Sequence, residues 1–206
     1  MTNVPYNPLD KRNLGISVAR AMLAREVYPL GQLSRFLGAG IYAIYYTGDF
    51  PAYRVLSDAN REGRYGLPIY VGKAIPPGGR RGGDSLSESS PSLFNRLSEH
   101  AESIKIAKNL DISDFQYRFL IVEDIWIPLG ESLLISMFSC LWNKLIDGFG
   151  NHDPGRGRYN GMCPRWDVLH PGRHWAERCQ PRPETADQIA QEAETHLRVT
   201  PLAAGH

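Results

Sequence analysis

The sequence predicts an α+β domain: a small, three-stranded, mainly antiparallel sheet flanked by helices, with an N-terminal helix and a C-terminal loop-rich extension. Three observations predict it. Residues 40–47 and 68–73 are short β-branched and aromatic runs, close enough to pair as antiparallel neighbours. Residues 115–123 alternate and then turn apolar, as a third strand would. Residues 92–108 and 128–146 read as helices, the second strongly apolar and therefore buried.

The remaining elements follow in order. Residues 13–28 carry Leu14, Val18, Met22 and Leu23 near helical spacing, which predicts an amphipathic helix. The stretch 49–66 is an excursion between the first two strands. Residues 75–91 are a loop by their Gly, Pro and Ser content. The helix over 92–108 follows Pro91 and opens on a serine cap. Residues 148–174 are rich in Gly, Pro and Arg, a structured loop with one face for something anionic. Residues 184–198 read as a polar terminal helix. The division this suggests is a helical arm at 1–39, a core at 40–146 and an extension at 147–206.

Composition bounds the function. Of 206 residues, 42% are apolar, enough for a sizeable core and against wholesale disorder. No apolar run approaches the roughly 18 residues a membrane span needs. The N-terminus lacks the charged-then-apolar pattern of a signal peptide, so a cytoplasmic location is expected. Cys140, Cys163 and Cys179 form no CxxC pair, which argues against a disulfide framework or a zinc knot. Net charge is only +1, but residues 1–39 hold an excess of three positive charges and residues 181–206 are acidic on balance. A near-neutral total can therefore hide one basic face.

Polar groups stand at particular places on this frame. Tyr42 and Tyr70 lie in strands beside Gly40 and Gly72, where backbone or substrate can approach closely. Arg96 and His100, four apart, share one helix face. An arginine can neutralise a phosphate through forked hydrogen bonds, and a histidine can relay a proton near neutral pH. Glu131 opens the apolar helix as its lone acid, either a helix-dipole residue or a ligand for a hard cation.

The ordered set Gly40-Ile41-Tyr42, Tyr70-Val71-Gly72, Arg96, His100, Glu131 and Asn143 resembles the GIY-YIG nuclease superfamily. Val71 stands where the family name has Ile. Outside this core, the segments 151–160 and 169–176 resemble the type II restriction branch that cuts the palindrome CCGCGG. The resemblance implies a type II site-specific endonuclease that hydrolyses phosphodiester bonds of double-stranded DNA. It implies that Glu131 binds one Mg²⁺, with Mn²⁺ as a substitute, and that Arg96 contacts the scissile phosphate. It further implies that Tyr42 with His100 manages the water's proton, Tyr70 holds the phosphate or nucleophile network, and Asn143 braces the site.

Two checks bear on this. A single carboxylate favours one metal, because two-metal sites normally need several bridging carboxylates. On an unbroken helix Asn143 would lie roughly 18 Å from Glu131, so it is structural unless the helix ends early. The general base stays open. An unperturbed tyrosine is ionised about one time in a thousand at pH 7, so Tyr42 needs His100, Arg96 or the metal.

DNA contacts are expected from Lys73, Arg80 and Arg81 around the inserted loop 75–91, and from Arg156, Arg158, Arg165 and Arg173 in the extension. Lys73 could instead stabilise its strand end. A palindromic target implies a homodimer on DNA, and a cognate DNA methyltransferase as a genetic, not physical, partner. Other readings are weaker. No Pro-Asp pair exists for a PD-(D/E)xK core, and His152, Asn160 and His170 lack HNH spacing. A repair or homing nuclease with the same core remains an alternative, as does a catalytically silent DNA-binding protein.

Overall fold

The computed structural model describes residue 7 and residues 9–76, 90–155 and 159–199. Helix α1, Lys11–Leu23, starts on Asp10, whose carboxylate accepts from the Arg12 N–H. It stops short of the expected residue 28. Pro29 disfavours helix at the residue before it, and Tyr28–Pro29 becomes a two-residue strand, β1. Strand β2 is Gly40–Tyr46. The excursion that follows contains an unexpected helix, α2, Arg54–Asn60, led in by a 3-10 turn that begins at Pro51. Asn60 ties it down by donating to the Tyr46 and Leu67 carbonyls.

Strand β3 is Tyr70–Ala74, helix α3 is Ser92–Ile106 and strand β4 is Phe115–Ile121. The serine cap expected for α3 does not form. Pro91 takes the cap position without a side-chain bond, and Ser90 and Ser92 bond each other at 2.6 Å. The long apolar helix is broken. Helix α4, Ile127–Phe138, ends at Ser139, which adopts left-handed backbone (φ 48, ψ 42). Helix α5, Leu141–Lys144, then sets off separately. Helix α6, Arg165–Leu169, lies within the segment read as loop, and α7, Ala186–Val199, closes the described chain.

The sheet has four strands, not three, in the order β1-β4-β2-β3, and every pairing is antiparallel. The fourth is β1, too short for a sequence pattern to show, and its proline is tolerated at the sheet edge. Central β2 is buried on both faces. Tyr42, Ile44 and Tyr46 face a core completed by α3 and by the C-terminal residues Trp142, Trp166, Ile189, Ala193 and Leu197. Ile41, Ala43 and Tyr45 face a second core with Ala19 and Met22 of α1 and Ile127 and Leu134 of α4. Gly130 lets α4 approach, because a Cβ there would sit 3.2 Å from Ile41 Cδ1. The N-terminal arm and the extension therefore contribute to the same two cores as the central segment. Burying Ile189 or Leu134 contributes about 2 kcal/mol each. Among the described residues, no helix is long and apolar enough to cross a membrane.

Candidate active site

The β2–β3 register sets Tyr42 opposite Gly72. A Cβ on Gly72 would run into the Tyr42 ring and hydroxyl, so glycine here makes room for the tyrosine. Tyr70 lies on the same side, with ring centroids 6.2 Å apart. Helix α3 delivers His100 beneath them. Its ring stacks on Phe149 at 4.5 Å and 16°, and its Nε2 lies 2.6 Å from the Tyr42 hydroxyl. Tyr42 and His100 are 0% and 1% exposed, so this bond is dry.

Burial decides the protonation of both groups. Desolvation pushes Tyr42 well above 10.0, Tyr70 adds to the shift, and Arg96 opposes it. Burial, then the charges of Arg96, His152 and Arg173, push His100 well below 6.5. Tyr70 is also raised, chiefly by burial, with Arg96 opposing and Glu131 reinforcing. The floor of the site is therefore a neutral phenol bonded to a neutral imidazole. Only with the imidazole proton on Nδ1 can Nε2 accept from the Tyr42 O–H.

Arg96 closes one side. Its Nη1 donates to Glu99 Oε2 at 2.9 Å and meets His152 Nε2 at 2.5 Å, while Nη2 donates to the Gly150 carbonyl at 2.8 Å. Across the β3 edge, Lys73 Nζ donates to Glu131 Oε2 at 2.5 Å. Glu131 belongs to the second turn of α4, which has no acid in its first turn, so a capping role is excluded. Its charge reaches both Tyr42 and Tyr70. Among the described residues, no group of three His, Cys, Asp or Glu could hold a metal. The donor set suits a different arrangement. Mg²⁺ keeps several waters and is commonly bound by one or two carboxylates plus substrate phosphates. A half-buried carboxylate already facing a cation, near a phosphate-seeking arginine, fits that pattern.

The chain that carries this arrangement also matches a known family. Residues 34–197 match the family described as the Eco29kI GIY-YIG domain, a type II restriction endonuclease family. The chain belongs to this family. The match begins just before β2 and runs through the extension, so it covers most of both cores but not Leu30 or Ala19 and Met22 of α1. No curated protein matches the chain. The α+β fold with a small antiparallel sheet is that of a GIY-YIG domain, and the family makes the chain a nuclease whose substrate is DNA.

Within this GIY-YIG domain the other sequence-predicted residues are placed as follows. Asn143 reaches no ion. Its Oδ1 accepts from the Val71 N–H and its Nδ2 donates to the Val71 carbonyl, both at 2.8 Å. The early end of α4 allows this, and the amide closes the outer edge of β3 as a strand partner would. Arg173, expected on DNA, is 3% exposed. All five of its N–H donors are taken, by Asp167 and by the carbonyls of Gly148, Phe149 and Asn151. Its guanidinium lies between Trp166 and Trp175, at 4.5 and 4.8 Å from the ring centroids. It is a clamp for the 148–151 backbone and has no donor left for a phosphate. Arg165 is bound to Glu192 and joins α6 to α7. Lys73 faces Glu131, at the heart of the site and not on its rim. Arg80, Arg81, Arg156 and Arg158, and most of the loop 75–91, lie outside the described residues. The sequence reading missed Phe149, Gly150 and His152 as neighbours of these candidate residues. Their only signal is an aromatic and a histidine in a glycine-rich run directly after α5.

Proposed function

We propose that the chain is a type II site-specific endonuclease that hydrolyses double-stranded DNA at a short GC-rich palindrome, CCGCGG, with one Mg²⁺ held by Glu131. The observation that carries this reading is the dry Tyr42–His100 hydrogen bond of 2.6 Å beside the Arg96 fork. It sets a proton acceptor beside the proposed phosphate ligand.

The chain's residues would act as follows. Arg96 takes the scissile phosphate on its forked donors and neutralises charge as the phosphorane-like transition state forms. Once DNA is bound, the attacking water would donate a hydrogen bond to Tyr42 Oη, which is buried in the DNA-free fold. As its oxygen bonds to phosphorus, its proton passes to Tyr42, and the phenolic proton passes to His100 Nε2. No free phenolate is needed, which suits a tyrosine held well above its usual value. The imidazolium that forms is balanced by the extra negative charge on phosphorus. The P–O bond to the leaving nucleoside breaks, its oxygen takes a proton from solvent, and His100 releases one to solvent. Tyr70 helps hold the phosphate. Mg²⁺, when bound, supplies positive charge to the transition state and the leaving oxygen. Mn²⁺ is expected to substitute. A twofold target suits a homodimer on DNA, with one site per strand, and a methyltransferase that protects host DNA.

Incubation with plasmid DNA and Mg²⁺, with and without EDTA, tests this reading. Discrete fragments that EDTA abolishes are expected. A smear or nicking would point to a repair-type GIY-YIG nuclease, and binding without cutting to a silent one. Glu131→Gln is expected to lower cutting by about 1,000-fold or more while duplex binding persists, the scale of a lost transition-state charge contact. A variant that still cuts at the native rate ends the assignment of Glu131 to the metal.

A further inference from the structure

Arg96 is the phosphate ligand in the mechanism above, yet its own helix supplies only one of its three contacts. The other two come from the C-terminal turn Gly150–His152. An arginine only donates hydrogen bonds. The 2.5 Å contact between Nη1 and His152 Nε2 is therefore a bond in which the imidazole accepts, with its proton on Nδ1. The Gly150 carbonyl accepts from Nη2 at 2.8 Å, so the turn grips both terminal nitrogens of the fork. It is itself held from behind, where Arg173 donates to the carbonyls of Gly148, Phe149 and Asn151 on a buried Asp167 ion pair. The turn is thus a built element resting on the core through Arg173 and the Phe149–His100 stack.

Gly150 adds a second, independent observation. A Cβ at this position would lie 2.8 Å from the Tyr70 hydroxyl and 3.0 Å from Arg96 Nη2. Glycine therefore lets the turn pack against both groups assigned to the phosphate, where any side chain would crowd them.

We propose that His152 is a positioning residue for DNA cleavage and that Gly150, by lacking a side chain, lets the turn reach Arg96 without displacing it or Tyr70. His152 and the Gly150 carbonyl set the plane of the Arg96 guanidinium before DNA arrives, so the fork meets the scissile phosphate without searching for its orientation. Glu99 cannot do this alone, because it contacts Nη1 only and its side chain is 48% exposed. The proposal rests on the assignment of Arg96 to the phosphate.

Single-turnover cleavage of a cognate duplex, with binding measured separately in Ca²⁺, tests it on the full chain. His152→Ala is expected to slow the cleavage step about tenfold, the weight of one hydrogen bond to a charged group, with duplex affinity unchanged within twofold. His152→Gln, whose amide oxygen can reach the Nε2 position, is expected to recover at least a third of the native rate. Both should melt with the native protein, since the His152 side chain is 61% exposed. Gly150→Ala is expected to weaken duplex binding and slow cleavage together, because its methyl would push on the Tyr70 hydroxyl and Arg96 Nη2. The proposal is overturned if His152→Ala cuts within twofold of native, if Gln is as slow as Ala, or if the His152→Ala loss lies wholly in affinity. If native protein fails to cut, or Arg96→Ala cuts normally, the underlying functional reading fails instead.

Discussion

Two buried tyrosine–histidine pairs lie in this molecule, both at 2.6 Å: Tyr42–His100 and Tyr53–His170. Each imidazole is pushed below its usual value, chiefly by burial, His170 to about 3. Yet their surroundings differ. The Tyr53 hydroxyl also accepts from Trp142 Nε1 at 2.9 Å, and His170 Nδ1 bonds Asn109 Oδ1 at 3.0 Å. Every polar atom of that pair has a partner from the fold, and aromatic rings close it off. The first pair instead borders Arg96 and Tyr70, against which the Gly150 turn packs closely. The comparison teaches that a short Tyr–His bond does not make a catalytic pair. What separates them is the neighbourhood of the hydroxyl: Tyr42 borders Tyr70 and Arg96, the proposed phosphate ligand, whereas Tyr53 is tied to Trp142.

The largest expected effect breaks this comparison at the first pair. Tyr42→Phe removes the hydroxyl proposed to hand the water's proton to His100, and should lower the cleavage rate about 100-fold or more, the usual weight of general acid–base catalysis. Near-native cutting would reduce Tyr42 to a strand aromatic. At the second pair the sign of the experiment reverses. Tyr53→Phe strands Trp142 Nε1 and His170 Nε2 in the core, which should lower urea-unfolding stability by about 2 kcal/mol and leave cutting within twofold. A Tyr53→Phe protein that is stable but slow would dissolve the distinction.

The smallest effect is common to both pairs. In the unfolded chain each histidine takes a proton near its ordinary value of 6.5, and in the folded chain neither does until much lower pH. The unfolded state therefore binds more protons below pH 6.5. The stability these pairs contribute is complete above that pH and is lost as pH falls. The slope is about 1.4 kcal/mol per pH unit for each histidine, extending for His170 down to about pH 3. Urea titrations at pH 7.5, 6.5 and 5.5 should show it. His170→Gln should remove His170's share of the slope, and an unchanged slope would mean that His170 is charged in the fold.

Much of the site was legible because its signals are local. The two tripeptides mark adjacent strands, and the spacing of Arg96 and His100 puts them on one face without reference to anything distant. Glu131 stood out as a lone acid in an apolar helix. Elsewhere local signals misled. Nothing in Phe138-Ser139-Cys140 marks a helix end, since left-handed backbone is uncommon for serine. The break occurs where Leu141 and Trp142 drop into the core and Asn143 meets Val71. In sequence Arg173 looks like any arginine in a Gly-Pro loop. Its five acceptors come from Asp167 and three backbone carbonyls that only folding gathers. The helix α2 was hidden in a stretch read as an excursion, because its register shows only once Leu56, Ser57 and Asn60 find their buried side.

The sequence by itself determined the sheet-and-helix class, the two strand tyrosines, the shared face of Arg96 and His100 and the isolated carboxylate, because each is a matter of residue type at short spacing. Tertiary structure alone decided which arginines are free and which are clamps, and where the apolar helix breaks. It also decided that Lys73 faces Glu131 and that Gly150 and His152 grip Arg96. Those are contacts between residues tens of positions apart, and hydrogen-bond partners and burial at such range are set by the packed fold.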